Sequence, residues 1–228
     1  MSPRRTAQVS SRKQPKQARS ADLVAAVLQA AVQVLAQEGA QRFTTARVAE
    51  KAGVSVGSLY QYFPNKASIL FRLQSDEWRR TTDMMRKVLQ DETRPPLARL
   101  RALVRAFLLS EFEEAAVRGA LDDAAPLYRD APEAREARAE GSRIFARFMR
   151  EALPKASPRQ RERGADLVVV TMTTAGKAYS ERARSAAEMG VHADAMSEMF
   201  CAYLASVETG SSVRTRGARL APEIQNSK

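Results

Sequence analysis

The chain has a single cysteine, Cys201, and a single histidine, His192, among its 228 residues. One cysteine excludes an intrachain disulfide and is typical of a reducing cytoplasm. One histidine excludes the metal sites that need several histidines and most histidine acid–base chemistry. The sequence also lacks a glycine-rich loop that could cradle a phosphate. These absences argue against an enzyme, and no cofactor or metal is expected.

Long apolar runs are missing as well. We find no stretch of about eighteen apolar residues of the kind that spans a membrane. No apolar run follows the basic N-terminal segment, so neither a secretory signal nor a transit peptide is predicted. Carboxylate pairs such as Glu113-Glu114 and Asp122-Asp123 are interpreted as solvated surface. The sequence therefore predicts a cytoplasmic protein with no membrane partner.

Positive charge is abundant and unevenly placed. The chain has 37 Lys and Arg against 26 Asp and Glu, a net charge of +11, and an isoelectric point near 10.3. Six basic residues and no acidic one lie in the first twenty positions. We predict a disordered basic arm over residues 1–19 that contacts DNA, with a solubilising tail as the alternative. Residues 209–228 lose apolar periodicity and are predicted to be a disordered tail.

Residues 44–66 are the most informative part of the sequence. Thr44 can cap a helix over residues 45–51, and Gly53 stands where a left-handed residue would end it. Ser55 can cap a second helix over residues 56–62. Two short helices across a tight turn, with a third helix following, are the layout of a helix-turn-helix DNA reader.

The second of these helices has the surface that a major-groove helix needs. Apart from the inward-pointing Leu59, its residues are small or can form hydrogen bonds, so the backbone could approach DNA closely. Pro64 then breaks the chain, and Asn65 can cap the next helix. Lys66 in the first turn of that helix, beside exposed N–H groups, is predicted to hold a phosphate. Phe63 is interpreted as a core residue.

Three stretches carry a resemblance to a known family: 43–45 (FTT), 53–55 (GVS) and 59–66 (LYQYFPNK). They resemble the tetracycline-repressor (TetR/AcrR) family of bacterial regulators, and the match is specific over about residues 20 to 70. The resemblance implies that three N-terminal helices bind operator DNA as a dimer. It further implies that a variable helical C-terminal domain binds an inducer and dimerises.

The resemblance also assigns DNA contacts by position. Two residues would lie near the DNA backbone: Thr45 and Arg47. Four would take phosphates: Ser55, Ser58, Tyr60 and Lys66. Four would face bases: Val56, Gly57, Gln61 and Tyr62, the last with packing as its alternative. Because Val56 and Gly57 have no hydrogen-bonding side chain, readout there would be limited to apolar contact such as with a thymine methyl.

The pattern is helical throughout, so the predicted fold is all-α with about nine helices. A helix-turn-helix domain is predicted at 20–66 and an effector-binding and dimerisation domain at 67–208. Ser20 and Gly39 would bound the first helix, and Ser157 with Pro158 would open the eighth. The remaining predicted helices are 66–90, 97–116, 120–128, 132–153, 158–189 and 193–207.

The last two predicted helices are expected to form a homodimer interface. One has an apolar centre, Leu167 to Met172, followed by small residues at 173–176; the other has Met196, Met199 and Phe200 on it. A monomeric core is the alternative. We favour the dimer because one helix-turn-helix head rarely binds DNA tightly and a symmetric operator needs two.

The family resemblance implies a ligand cavity enclosed by the fourth to the eighth helices. Its candidate wall residues are the large apolar ones, each of which has ordinary core packing as the alternative: Trp78, Met85, Phe107, Phe112, Tyr128, Phe145, Phe148 and Met149. The methionines and aromatics favour a small apolar or aromatic effector.

Together these features predict a sequence-specific DNA-binding transcriptional regulator. We expect a repressor that leaves double-stranded, palindromic operator DNA when the small-molecule effector binds. The alternative is a ligand-independent architectural DNA-binding protein, which should bind unrelated DNA nearly as well as an operator.

Overall fold

The computed structural model describes residues 18–128, 132–183 and 185–210. Within those ranges it contains nine α-helices, one 3-10 turn and no strand, which confirms the predicted all-α fold. The helices are α1 Ala18–Arg42, α2 Thr45–Ala52, α3 Val56–Tyr62, α4 Lys66–Leu89, α5 Pro96–Glu113, α6 Ala115–Ala124, α7 Pro132–Ala152, α8 Pro158–Ser180 and α9 Ala186–Glu208, with the 3-10 turn at Ala125–Leu127. The predicted arm and tail fall almost entirely outside the described residues and stay predictions.

The N-terminal unit, which we call the head, consists of α1, α2, α3 and residues 66–73 of α4. Its core forms because α2 buries its apolar positions against the long α1 and α3 packs against α2. Val27, Ala31, Val48 and Leu59 have no exposed surface. A seven-residue helix such as α3 is too short to be stable alone, so this packing holds it in place.

The caps of the head are those that the sequence predicts. The Thr44 side chain accepts a hydrogen bond from the Arg47 amide, and Ser55 accepts one from the Ser58 amide. Gly53 ends α2 with φ 67°, a left-handed conformation in which a side chain would be strained. These caps explain why α2 and α3 begin where the sequence indicates.

The boundaries of α1 differ slightly from the prediction. The helix begins at Ala18, so Ser20 lies inside it and is not its N-cap. Gly39, with φ 72°, interrupts the helix as expected, although helical residues resume briefly up to Arg42.

The apolar content of α1 qualifies the expectation about membrane spans. Between Ser20 and Arg42 an 18-residue window reaches a mean hydropathy of 1.4, which is enough by length and composition to cross a membrane. A core helix of a soluble protein passes the same test. Val27, Ala31, Val34 and Leu35 of α1 are buried in the head, so its apolar face already has protein partners.

The remaining helices form the body, in which α5 packs against α4, α8 and α9. A second core cluster fills it, with Leu103, Val104, Val168 and Leu204 fully buried. Helix α6 is the exception, because Leu121 and Ala124 pack into the head core and not into the body core. Together, α4 and α6 join the two units.

The predicted helix ends are wrong at two junctions of the body, the one between α8 and α9 and the one between α5 and α6. The helix predicted to run to residue 189 ends at Ser180, and α9 begins at Ala186, where the Ser185 side chain accepts a hydrogen bond from the Glu188 amide at 3.2 Å. Likewise α5 stops at Glu113, and α6 begins at Ala115, not at residue 120. Neither break is marked by a proline or glycine, so periodicity alone does not locate it.

Candidate nucleic-acid interface and ligand cavity

Helix α3 presents an open face to solvent. Val56 and Tyr60 are each 40% exposed, and Gly57 and Gln61 are exposed too, whereas Leu59 points into the core. A Cβ atom added at Gly57 would meet only Ser55 Oγ at 3.8 Å, so core packing does not require glycine there. The absence of a side chain keeps this part of the helix flat enough for a close approach of DNA.

Hydroxyl groups on this face bond to one another. Thr45 Oγ1 of α2 lies 3.0 Å from Tyr60 OH of α3, and Ser55 Oγ lies 2.8 Å from Ser58 Oγ. The first contact ties the two helices of the motif together at their exposed edge. All four residues were predicted to contact the DNA backbone or its phosphates, and the structure brings them to one surface.

The position of Arg47 is set by an intramolecular ion pair. Its Nη1 contacts the Glu38 carboxylate and donates a hydrogen bond to the Arg42 carbonyl oxygen at 3.1 Å. The Arg47 side chain is 46% exposed. To contact the DNA backbone as predicted, Arg47 must leave the Glu38 carboxylate or contact it and the DNA at once. The sequence does not reveal this energetic cost.

Lys66 lies exposed in the first turn of α4, as predicted. The turn is held by a reciprocal cap: Asn65 Oδ1 accepts from the Ser68 amide at 2.9 Å, and Ser68 Oγ accepts from the Asn65 amide. This cap fixes the helix N-terminus beside α3. The ammonium group and the positive end of the helix dipole can act on the same phosphate.

Tyr62 is a correction to the predicted DNA-binding set. It is only 8% exposed and belongs to the head core, next to the fully packed Phe63. The last residue of α3 turns inward because the chain must pass from α3 to α4 over the core. Tyr62 therefore has a packing role in this structure, and the remaining predicted contacts stay predictions.

The predicted ligand-binding residues do not form one wall. Tyr128 packs in the head core, where its ring centroid lies 5.8 Å from that of Phe71 and its hydroxyl donates to the Leu121 carbonyl oxygen at 2.9 Å. Phe148 lies in the body core and is 2% exposed. Met85 and Phe112 are half-buried and pack against the same core. These four residues are core, as their alternative interpretation held.

Phe145 and Met149 line a groove between α7 and α8. Its volume is about 480 Å³, and its floor is apolar. Oppositely charged residues share its rim, namely Arg150, Arg161, Glu162 and Asp166. The groove is separate from the cavity that Trp78 and Phe107 line.

Trp78 and Phe107 are brought together at a cavity of about 270 Å³ between α4, α5, α6 and α8. We call it the Trp78 cavity. Its other lining residues are polar or charged: Gln74, Glu77, Thr81, Glu111, Arg118, Asp122, Thr173 and Lys177. The cavity is therefore aromatic on two sides and ionic elsewhere, which differs from the apolar wall expected from the sequence.

Sequence reasoning missed this ionic lining because isolated charged residues on an amphipathic helix are interpreted as solvated. A signal did exist, since Glu77 follows Leu70 and Leu73 by seven and four residues and so shares their inward face. Glu77 is 6% exposed and Glu111 is 9% exposed. Burial raises the pKa of Glu111, and Arg118 partly opposes that shift.

Helices α8 and α9 leave apolar side chains uncovered on the single chain. Leu167 is 46% exposed and Val170 61% exposed on α8; Val191 is 68% and Met199 51% exposed on α9. The two on α9 are eight residues apart and so share one helix face. Large exposed apolar groups at helical spacing are typical of a surface that another helix covers.

Comparison with known proteins gives two matching family models. The model for bacterial regulatory proteins of the tetR family matches residues 27–73, and the model for the tetracyclin repressor-like C-terminal domain matches residues 95–207. Together the two models cover most of the chain, including the whole helix-turn-helix region.

Curated relatives match over a shorter region. The nucleoid occlusion factor SlmA of Vibrio campbellii is 36% identical over 83 residues, which is 36% of this chain and 42% of that protein. SlmA of Aliivibrio fischeri is 35% identical over 83 residues, with the same coverage. The chain thus spans about two-fifths of the length of the curated relatives it matches.

Solved structures share the fold over about four-fifths of this chain. A TetR-family transcriptional regulator of Mesorhizobium loti superposes with a TM-score of 0.60 at 20% identity, over 82% of this chain and 98% of that one. FadR of Bacillus subtilis, in complex with stearoyl-CoA, gives 0.60 at 16% identity over 78% and 97%. FadR of Bacillus halodurans gives 0.59 at 16% identity over 82% and 97%.

Proposed function

Because the chain belongs to the tetR family of bacterial regulatory proteins, and is thus a DNA-binding transcriptional regulator, we propose that it is a cytoplasmic repressor released from a palindromic operator by a small effector. The observation that carries the proposal is the open face of α3, with Gly57, Gln61 and Tyr60 exposed beside Lys66. That surface combines close backbone approach with groups for phosphates and bases.

The proposed contacts divide by chemistry. Ser55, Ser58, Tyr60 and Lys66 bind phosphates, with Thr45 and Arg47 near the backbone, and these set affinity and salt dependence. Gln61 reads a base edge, and Val56 with Gly57 allows only apolar contact. Sequence preference then depends strongly on Gln61 and on DNA shape.

Members of the family act as dimers, and we place the interface of this one on α8 and α9. The exposed Leu167, Val170, Val191 and Met199 would be covered by the same residues of a second copy, in a two-fold arrangement. A symmetric dimer presents two heads to a symmetric operator, with half-sites about 34 to 36 Å apart.

Release by an effector is proposed through α4, which begins at Lys66 on the DNA side and passes Trp78 at the cavity. A ligand that fits the cavity better when α4 is tilted would change the separation of the two heads. Reciprocity then requires that operator DNA weakens ligand binding by the same factor. Catalysis has no part in this scheme.

The test is selection of genomic fragments by the purified full-length protein, followed by footprinting of the enriched sites. We expect a two-fold symmetric footprint and at least about a thousandfold preference over unrelated DNA, the lower end of the range of specific regulators. Near-equal affinity for unrelated DNA would instead favour the architectural alternative. An asymmetric footprint occupied by a monomer would remove the dimer from the proposal.

A further inference from the structure

The Trp78 cavity holds two buried carboxylates and one buried guanidinium. Within the described part of the chain, Arg118 is the cation that contacts both carboxylates, and its side chain is 14% exposed. Its Nη1 lies 2.9 Å from Glu77 Oε1 and 2.5 Å from Glu111 Oε1, and its Nε lies 3.2 Å from Glu114 Oε2. One guanidinium is therefore shared among three carboxylates, which leaves negative charge in excess.

The ion pair between Lys177 and Asp122 at the rim of the cavity does not neutralise this excess negative charge. Lys177 Nζ lies 2.6 Å from Asp122 Oδ2, so the two charges neutralise each other across α8 and α6. Glu114 is also contacted by Arg80, at 3.2 Å. The excess negative charge is thus located deeper in the cavity, on Glu77 and Glu111.

The two buried carboxylates differ in their hydrogen bonding. Glu77 has both oxygens occupied, because Oε2 accepts from Gln74 at 3.0 Å and Oε1 accepts from Thr81 at 2.8 Å and faces Arg118. Glu111 uses only Oε1, toward Arg118. No described residue donates a hydrogen bond to Oε2 of Glu111, and this oxygen is not sealed from the cavity that Glu111 lines, although the residue as a whole is only 9% exposed.

A ligand group that meets Glu111 Oε2 must donate a hydrogen bond, and the excess negative charge favours a donor that is positively charged, because charge-assisted hydrogen bonds are the stronger ones. Trp78 and Phe107 flank the same space, and an aromatic face attracts cations as well as apolar rings. At about 270 Å³ the cavity lies just below the range of about 300 to 1,000 Å³ for small-molecule sites, so the body of the ligand must be small.

From this geometry we infer that the Trp78 cavity binds a small organic monocation, a protonated amine on a one- or two-ring body, with Glu111 Oε2 as its anchor. The inference rests on the proposed function, because it names the chemical class of the effector. It narrows the apolar or aromatic effector expected from sequence to one that has an aromatic part and a positive charge.

The test uses three probes of matched shape and different charge: 2-phenylethylamine, 2-phenylethanol and 3-phenylpropanoate. Trp78 is the only tryptophan, so its fluorescence reports on the cavity, and calorimetry detects binding that leaves fluorescence unchanged. We expect the amine to bind at least about tenfold more tightly than the alcohol, the usual effect of a hydrogen bond to a charged group, and the carboxylate to bind most weakly.

A variant and its matched control locate the effect. Glu111→Gln keeps the shape of the side chain and removes its charge, so the preference for amine over alcohol should disappear. Glu113→Gln is the same chemical change two residues away, on the exposed side of α5, and should keep the preference. Equal binding of amine and alcohol to the unaltered protein, no binding of the amine, or an unchanged preference in Glu111→Gln would each overturn the inference.

Operator binding measured on the same samples separates this inference from the proposed function. If the protein binds the operator specifically but does not bind the amine, the proposed regulatory function stands and the cation site is rejected. Amine binding that leaves operator affinity unchanged supports the cation site and rejects release by this class of effector.

Discussion

Thr45 Oγ1 and Tyr60 OH lie 3.0 Å apart and join the first helix of the DNA-reading motif to the second. Both residues are accessible at the surface predicted to meet DNA. The contact fixes the distance between α2 and α3 at the edge where Thr45 is predicted to lie near the DNA backbone and Tyr60 to contact a phosphate. It also makes the two residues energetically dependent on each other.

The first prediction is a double-mutant cycle on this pair. Tyr60→Phe and Thr45→Val should each weaken operator binding by roughly 2- to 10-fold, the usual value of one hydrogen bond. The double variant should lose less than the product of the two single losses, because each change already breaks the shared contact. Titration of labelled operator with the four proteins measures this, and fully additive losses would contradict the pairing.

A second prediction concerns Lys66. Lys66→Ala should weaken binding to operator and random DNA by about the same factor and reduce the salt slope by about one per head. Lys87→Ala removes the same charge at the far end of α4 and should leave the slope unchanged. Binding measured from about 50 to 200 mM salt decides the matter, and a change in sequence preference in Lys66→Ala would disprove a phosphate role.

Base readout gives a third prediction. Gln61→Ala should cost about 1 to 3 kcal/mol on the best operator and much less on random DNA. The side chain is exposed at the end of α3, so the substitution should leave the melting temperature almost unchanged. Competition binding against a library of single-base operator variants identifies the affected position. If Gln61→Ala weakened binding to every DNA sequence by the same factor, Gln61 would be a phosphate contact and not a base contact.

The helix-turn-helix part of the head could be predicted closely because the boundaries of α2 and α3 each have a chemical cause in a neighbouring residue. The cap at Ser55 and the left-handed Gly53 are examples that the structure confirms. Tyr62 could not be placed, since its side chain is equally suited to a core and to a base. Only the path of the chain into α4 decides between them.

The cavity was harder to predict, because it depends on which helices meet and not on local pattern. Tyr128 was assigned to the body, yet α6 packs it into the head core. Glu111 and Arg118 come together only because α5 ends at Glu113 and α6 turns back, a break that no proline or glycine marks. Charged residues buried by tertiary contacts leave a weak trace in a single sequence.

The fourth prediction tests the dimer surface. Val170→Glu places a charge on the exposed apolar face of α8 and should convert the dimer to a monomer at micromolar concentration, because an unpaired charge would be buried. Val32→Glu makes the same change at an exposed valine of the head and should keep the dimer. Sedimentation velocity distinguishes the two, and a dimeric Val170→Glu would move the interface elsewhere.

The last prediction concerns Glu111 and pH. Burial is the largest cause that raises the pKa of Glu111 above its ordinary value of 4.5, and Glu77 and Asp122 add to the increase while Arg118 opposes it. The folded protein then holds the proton more tightly than the unfolded chain, so the free energy of unfolding should fall as pH rises from about 4.5 through the raised pKa. In Glu111→Gln this group cannot titrate. The unfolding free energy of the unaltered protein minus that of the variant should therefore decrease with pH across this window and level off above it.

Urea unfolding at a series of pH values from about 4 to 8 measures the difference, with Glu113→Gln as the control that should not show the decrease. A difference that stays flat, or that grows with pH, would mean that Glu111 is fully compensated by Arg118, and the cavity would then have no excess charge for a cation to neutralise.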